Sequence, residues 1–224
     1  MPSNPPSFIA LLPLRGGSQG IPRKNILPFR EKPLFTWSAN AAISAGISLV
    51  ISTDDSEIKS YIKKYTPTAR VLDRPTELAT NIASTESVIS HFLDNTECDH
   101  IILLQATSPM TLSSHLTDAM TLYLKEGCKP LVSGTRQHTF HWSEDGNPIN
   151  YDPRSRPRRQ DWNGTFIENG AFYIFSRNDF KANQSRCAPP CTLFEMEAIH
   201  SIEIDTQFDW RLLETVANAI QGKT

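Results

Sequence analysis

The chain reads as an α/β fold with a mainly parallel sheet and helices on both faces. Short apolar runs of strand length alternate with segments of helical periodicity through the first half of the sequence. The residues that carry chemistry gather just after the apolar runs, at the carboxyl ends of the predicted strands, where open α/β sheets take their ligands.

Phe8–Leu14 is the first predicted strand. Pro33 opens a helical pattern through Leu34, Trp37, Ala41 and Ile43 that closes at Gly46. Ser48–Ser52 is a short strand, and Glu57–Tyr65 a helix with Asp54 or Asp55 as its N-cap. Arg70–Leu72 is a strand, Thr85–Leu93 a helix, His100–Gln105 an apolar strand and Ser113–Lys125 a helix. Leu131–Thr135, Thr139–Ser143, Phe166–Phe175 and Ile199–Ile204 are further expected strands, and Phe208–Ile220 a closing amphipathic helix. Between them, 145–163 has little apolar periodicity and is too long for an idle loop, which predicts a functional or interface element.

A length of 224 residues suits a single domain over 8–224, with 145–163 as a protrusion. Residues 1–7 are Pro-rich and polar, unlike a secretory signal, and read as a flexible tail. A net charge of −2 gives no broad basic character for nucleic acid, and no apolar run is long enough for a membrane span. Cys98, Cys128, Cys187 and Cys191 are scattered and lack further zinc ligands at matching spacing, so they read as reduced thiols of a cytoplasmic protein. A Cys187–Cys191 disulfide is sterically possible, and the arginine run below suits nuclear import in a eukaryotic source.

The most informative stretch is Leu14–Asn25, LRGGSQGIPRKN. Its glycines allow tight turns that bring backbone N–H groups to a ligand, and Arg15, Arg23 and Lys24 add positive charge. That suits a triphosphate, although it is neither a Walker A loop nor a dinucleotide fingerprint; a surface turn with solvated cations is the plainer alternative. Glu203 and Asp205 stand two apart, so a strand would present both carboxylates on one side, as a Mg²⁺ site or as solvated acids. Arg154–Gln160 is a cationic run that reads as a solvated arm, a nucleic-acid patch or a folded element holding a carboxylate.

Together these blocks resemble the CMP-sialic acid synthetases, the acylneuraminate cytidylyltransferases. The resemblance rests on RGGSQGIPRKN at 15–25, STDD at 52–55, RPTELATNIAST at 74–85, LLQATSP at 103–109, RPRRQDW at 156–162, ENGAFY at 168–173 and EID at 203–205. It implies a Rossmann-like nucleotidyltransferase fold of three layers with a small dimerisation protrusion. It implies a reaction in which CTP and a nonulosonic acid give the CMP-sugar and pyrophosphate. Arg15, Lys24 and Asp205 match catalytic positions, and Gly16, Gly17, Ser18, Asn25, Arg74, Thr85 and Gln105 match nucleotide-binding positions. Gln105, Arg158, Arg159 and Gln160 match sugar-binding positions, the last three acting on the neighbouring subunit of a homodimer. Glu203 and Asp205 match the carboxylates for Mg²⁺, for which Mn²⁺ would substitute.

The chain departs from the family pattern in four places. Gln19 stands where the family loop carries lysine, Asn81 where it carries Asp, Glu203 where it carries Asp, and His141 where it carries Lys or Arg. Arg23 is the cation expected to stand in for the missing lysine. A non-catalytic CTP-binding homologue, acting as regulator or partner subunit, is the alternative from another class. A metal-dependent glycosyltransferase with a DxD-like pair is a weaker third reading.

Overall fold

The structure, a computed structural model, describes residues 6–17 and 20–221. Among these a seven-stranded sheet runs in the order β5-β4-β1-β6-β8-β7-β9. β1 (Phe8–Pro13) lies inside it, parallel to β4 (Ser48–Thr53) on one side and β6 (His100–Leu104), the central strand, on the other. β5 (Arg70–Asp73) extends the parallel half beyond β4. β8 (Thr165–Ser176) is antiparallel to both β6 and β7 (Leu131–Gln137), and β9 (Thr192–Glu195) closes the far edge parallel to β7. Four neighbouring parallel strands therefore end on one edge, at Pro13, Thr53, Asp73 and Leu104.

Alternation along the strands builds the layers. Ala10, Leu12, Leu49, Ile51, Ile102 and Leu104 face one core with α1 (Phe35–Ser44), α2 (Ser56–Tyr65) and α4 (Ser113–Lys125). Leu11, Val50, Ile101, Leu103 and Phe175 face the opposite core with α3 (Thr85–Asp94) and α5 (Arg177–Asn183). A third cluster joins Ile21, Phe29, Leu34 and Ile204 to Trp210 and Leu213 of α6 (Gln207–Gln221). Near-continuous apolar runs in β1 and β6 follow from burial on both faces. No helix among the described residues is long and apolar enough to cross a membrane.

Most of the expected elements form, with instructive differences. Asp55 is the N-cap of α2, accepting from the backbone N–H of Glu57 and Ile58. α1 starts at Phe35 because Pro33 belongs to a two-stranded hairpin, β2 (Pro28–Phe29) with β3 (Lys32–Pro33). Two expected strands are corrected. Thr139–Ser143 contributes only a single bridge, Trp142 to Pro148, around a turn at Gly146 (φ +80). Ile199–Ile204 forms no strand: a short 3₁₀ turn, Ala198–His200, is followed by irregular chain held by the buried Ile204 and its N–H bond to the Thr107 carbonyl. The edge strand β9 is half exposed and too short to signal itself.

His100, at the start of β6, stacks on Phe8 at 4.8 Å between centroids and places Nδ1 3.0 Å from the Tyr123 hydroxyl. Burial holds its pKa below the ordinary 6.5, against the opposing pull of Asp99 and Asp179. The fold therefore favours neutral imidazole. This contribution is complete above the ordinary value and is lost as the pH falls through it. Urea midpoints of the wild type should fall between about pH 7 and pH 5, and His100→Gln should flatten that decline. Equal pH slopes would contradict this role for His100.

Candidate active site

At the shared edge, the chain leaving β1 turns over the ends of its neighbours. The Leu14 N–H donates to the Ser52 carbonyl at 2.8 Å, and the Gly16 N–H to Asp54 Oδ1 at 3.2 Å. A methyl group on Gly16 would strike the Asp55 carboxylate, so glycine is needed for this approach to the α2 N-terminus. Gly17 is exposed, and Ser18 and Gln19 lie outside the described residues. Asn25 is buried and donates from Nδ2 to the Arg15 carbonyl at 3.1 Å, bracing the loop from below.

Two adjoining clefts open here, of about 410 and 300 Å³. The first is lined by Lys24, Asn25, Thr107 and Asp205, the second by Arg74, Asn81, Ser84 and Thr85. Pro13, Arg15 and Gln105 form the wall common to both. Gln105 is anchored by its backbone: its N–H donates to the Ala171 carbonyl and its carbonyl accepts from the Ser38 hydroxyl. Its side-chain amide makes no hydrogen bond among the described residues, leaving a donor and an acceptor for a ligand.

Positive charge dominates the second cleft. Arg74 is buried, with Nε 3.1 Å from Ser52 Oγ and Nη2 2.6 Å from the Ser52 carbonyl. Burial pushes its pKa down to about 10, helped by Arg15 and opposed by Asp54, and it stays charged at neutral pH. Arg23 does not join this group. It sits in the left-handed backbone region (φ 59) and pairs with Asp55 at 2.8 Å and with Glu57. The expectation that it replaces the missing cation at Gln19 is thereby corrected, since the acidic N-terminus of α2 already engages it.

The acids arrive on irregular chain and not on a strand. Ile204 is fully buried, and its N–H donates to the Thr107 carbonyl at 2.8 Å. Lys24 Nζ reaches the Ile204 carbonyl at 2.7 Å and Asp205 Oδ1 at 3.1 Å. Asp205 is exposed in the first cleft, while Glu203 lies half-buried against Gly170. Burial first, and Asp205 second, push the Glu203 carboxyl up to about 7, with Lys24 opposing. Glu203 makes no hydrogen bond among the described residues. A desolvated carboxylate without a donor, beside a second carboxylate, is a donor set that fits a hard divalent cation.

Thr85 is the first residue of α3, with the side chain of Ser84 as its N-cap, accepting from the Ser87 N–H. The arginine run stays apart from both clefts. Arg158 pairs with Asp161 of its own turn at 2.7 Å, and Arg159 and Gln160 are exposed. Behind them, Phe140 stacks on Trp162 at 5.0 Å and Arg156 lies 4.3 Å over Phe140, a small aromatic core of the protrusion. Aromatic residues beside the arginine run point to a folded element, and the contacts among Phe140, Trp142, Tyr151 and Trp162 form it. Sequence reading overlooked Lys24 as a brace for the acid segment and Gly170 as the floor beneath Glu203.

A mainly parallel sheet with helices on both faces and a polar, cationic cleft at the carboxyl ends of its parallel strands is an α/β fold of Rossmann-like build. The chain belongs to the cytidylyltransferase family, whose model matches residues 9–218. It is 36% identical over 215 residues to N-acylneuraminate cytidylyltransferase A of Danio rerio, covering 92% of this chain and 49% of that protein. It is 29% identical over 211 residues to a pseudaminic acid cytidylyltransferase of Campylobacter jejuni, covering 88% and 90%. The chain thus spans about half the length of the first of these relatives and most of the second. In fold it is similar to a CMP:2-keto-3-deoxy-manno-octonic acid synthetase complexed with CTP, with a TM-score of 0.71 and 15% identity, covering 96% of this chain and 99% of that one.

Gly170 has a positive φ of +62, and a methyl group there would strike Glu203 Oε1. Gly170→Ala should therefore cost about 1–2 kcal/mol of stability through backbone strain and displacement of Glu203. Urea unfolding checks this. The cost should shrink in a Glu203→Ala background, and an equal cost there would mean that Glu203 is not what the methyl displaces.

Proposed function

We propose that this chain transfers the CMP group of CTP to the anomeric hydroxyl of a nonulosonic acid, releasing pyrophosphate. One observation carries the reading. Arg15, Lys24, Arg74, Thr85, Gln105 and Asp205 come from four separate stretches of sequence and line two adjoining clefts. Their chemistry sorts by half: the first cleft has a lysine and an acid, the second a buried arginine and small hydroxyl side chains. The first suits the reacting phosphates and the second the nucleoside, with Arg15 and Gln105 reaching both. Kinship with sialic-acid-type and pseudaminic-acid cytidylyltransferases supports the substrate class.

Catalysis in this reading is positioning and charge stabilisation. Arg15 and Lys24 neutralise charge that builds as pyrophosphate departs. Gln105 holds the acceptor hydroxyl in line by hydrogen bonding. Asp205 and Glu203 would hold Mg²⁺, or Mn²⁺ in its place, which supplies Lewis-acid charge at the phosphates when bound. Lys24 keeps Asp205 in the first cleft.

The protrusion supports a homodimer with shared sites. Its arginines make no contact with the clefts of their own chain, and Trp142 and Ile149 hold apolar surface in solvent at 54% and 66% exposure. Arg158, Arg159 and Gln160 would then meet the sugar acid bound to the partner subunit.

Pyrophosphate release should require CTP, a nonulosonic acid and a divalent cation together, with ATP, GTP and UTP poor substitutes. Asp205→Asn should lower turnover at least about a hundredfold. Full turnover in EDTA would contradict the carboxylate assignment, and equal use of a purine triphosphate the nucleotide assignment. Arg158→Ala and Asp205→Asn proteins should each be inactive, and mixing equal amounts with subunit exchange should restore about a quarter of wild-type activity. No recovery despite proven exchange would contradict a shared site.

A further inference from the structure

β8 and β7 fall out of register beside the acid segment. Their pairs run Val132 with Tyr173 and then Gly134 with Glu168, so Ser133 alone stands against Asn169–Phe172. The ladder drops backbone groups of that bulge, and side chains take them up. The Ser133 hydroxyl accepts from the Phe172 N–H at 3.0 Å, and Asn169 Oδ1 accepts from the Ala171 N–H at 3.2 Å. Ser133 Oγ also donates to Asn169 Oδ1 at 2.8 Å. Both side chains are buried.

These donors fix the orientation of the Asn169 amide. With Oδ1 held by two of them, Nδ2 faces the other way, where it donates to Ser201 Oγ at 3.0 Å and to Met196 Sδ at 3.2 Å. Ser201 donates in turn to the Glu197 carbonyl at 3.2 Å and stands two residues before Glu203. The chain after Glu203 is held at Ile204, by burial and by Lys24. The chain before it is held at Ser201. Gly170, next to Asn169, is the residue against which the Glu203 carboxylate lies. Glu203 makes no hydrogen bond of its own among the described residues, so its place depends on the backbone that carries it. One buried amide therefore sets both that backbone and the surface beneath the carboxylate.

We propose that the hydrogen bond from Asn169 to Ser201 positions Glu203 for the divalent cation, which makes Asn169 a positioning residue of the site. The proposal rests on the reading of Glu203 and Asp205 as cation ligands. Asn169 acts through the backbone between Ser201 and Glu203, not by contact with the cation.

The test is calorimetric titration of CTP, without sugar acid, in EDTA and in excess Mn²⁺. In the wild type Mn²⁺ should tighten CTP binding at least about tenfold, through the carboxylates. Ser201→Ala should cut that enhancement about three- to tenfold and leave the affinity in EDTA within about twofold. A loss of structure alone would weaken both titrations alike. Asn169→Ala should cut the enhancement by the same factor, and the double variant no further than either single one. Asn169→Ala also strips the Ala171 N–H of an acceptor, so Ser201→Ala, which spares the bulge, decides the matter where Asn169→Ala does not fold. In turnover, Ser201→Ala should raise the Mn²⁺ concentration for half-maximal rate and leave the KM for the sugar acid within about twofold. A full Mn²⁺ enhancement in Ser201→Ala, equal losses in EDTA and in Mn²⁺, or additive losses in the double variant would each overturn the proposal. A wild type whose CTP affinity ignores Mn²⁺ would instead overturn the cation reading on which it rests.

Discussion

The site depends on one contact across the length of the chain: the ammonium of Lys24, bonded to the Ile204 carbonyl and to Asp205. Lys24 leaves the first strand's loop, and Asp205 comes 181 positions later on chain that belongs to no ladder. Sheet hydrogen bonding does not hold that chain in place. The Ile204 side chain, sunk among Ile21, Phe29, Leu34 and Trp210, and the Ile204 N–H on the Thr107 carbonyl do so from below, and Lys24 does so from the cleft. The ammonium also opposes the rise in the Glu203 pKa that burial and Asp205 cause.

Charge is distributed accordingly. Asp55 and Glu57 at the α2 N-terminus take up Arg23, and the Gly16 amide is given to Asp54. Arg15 and Arg74 are left on neutral acceptors. The cleft is therefore cationic on the wall and in the second half, and mixed near Asp205. A triphosphate with a divalent cation has the complementary arrangement, with anionic oxygens along its length and a positive ion at one place.

Much of this was legible from residues. The apolar runs Phe8–Leu14 and His100–Gln105, an acidic N-cap for α2 and the Gly46 stop each follow from local rules, and the structure obeys them. Ile204 is buried between Glu203 and Asp205, but the strand inferred from their alternation does not form. Alternation needs only one buried side chain, whereas a strand needs a neighbour with free backbone groups. Arg23 was misread for a related reason: a cation in a glycine loop looks available until the fold brings the acids of α2 beside it. The aromatic core of the protrusion is a tertiary assembly of residues spread over Phe140–Trp162, and no local period marks it.

The central claim is that Glu203 and Asp205 hold a divalent cation against a nucleotide triphosphate lying between Arg15 and Lys24. A crystal structure of the protein with CTP and Mn²⁺ tests it most directly, through the anomalous signal of the metal. The account predicts one peak within about 2.5 Å of carboxylate oxygens from both Glu203 and Asp205, with phosphate oxygens completing its coordination. A metal bound away from these carboxylates, or CTP phosphates placed out of reach of Arg15 and Lys24, would contradict it.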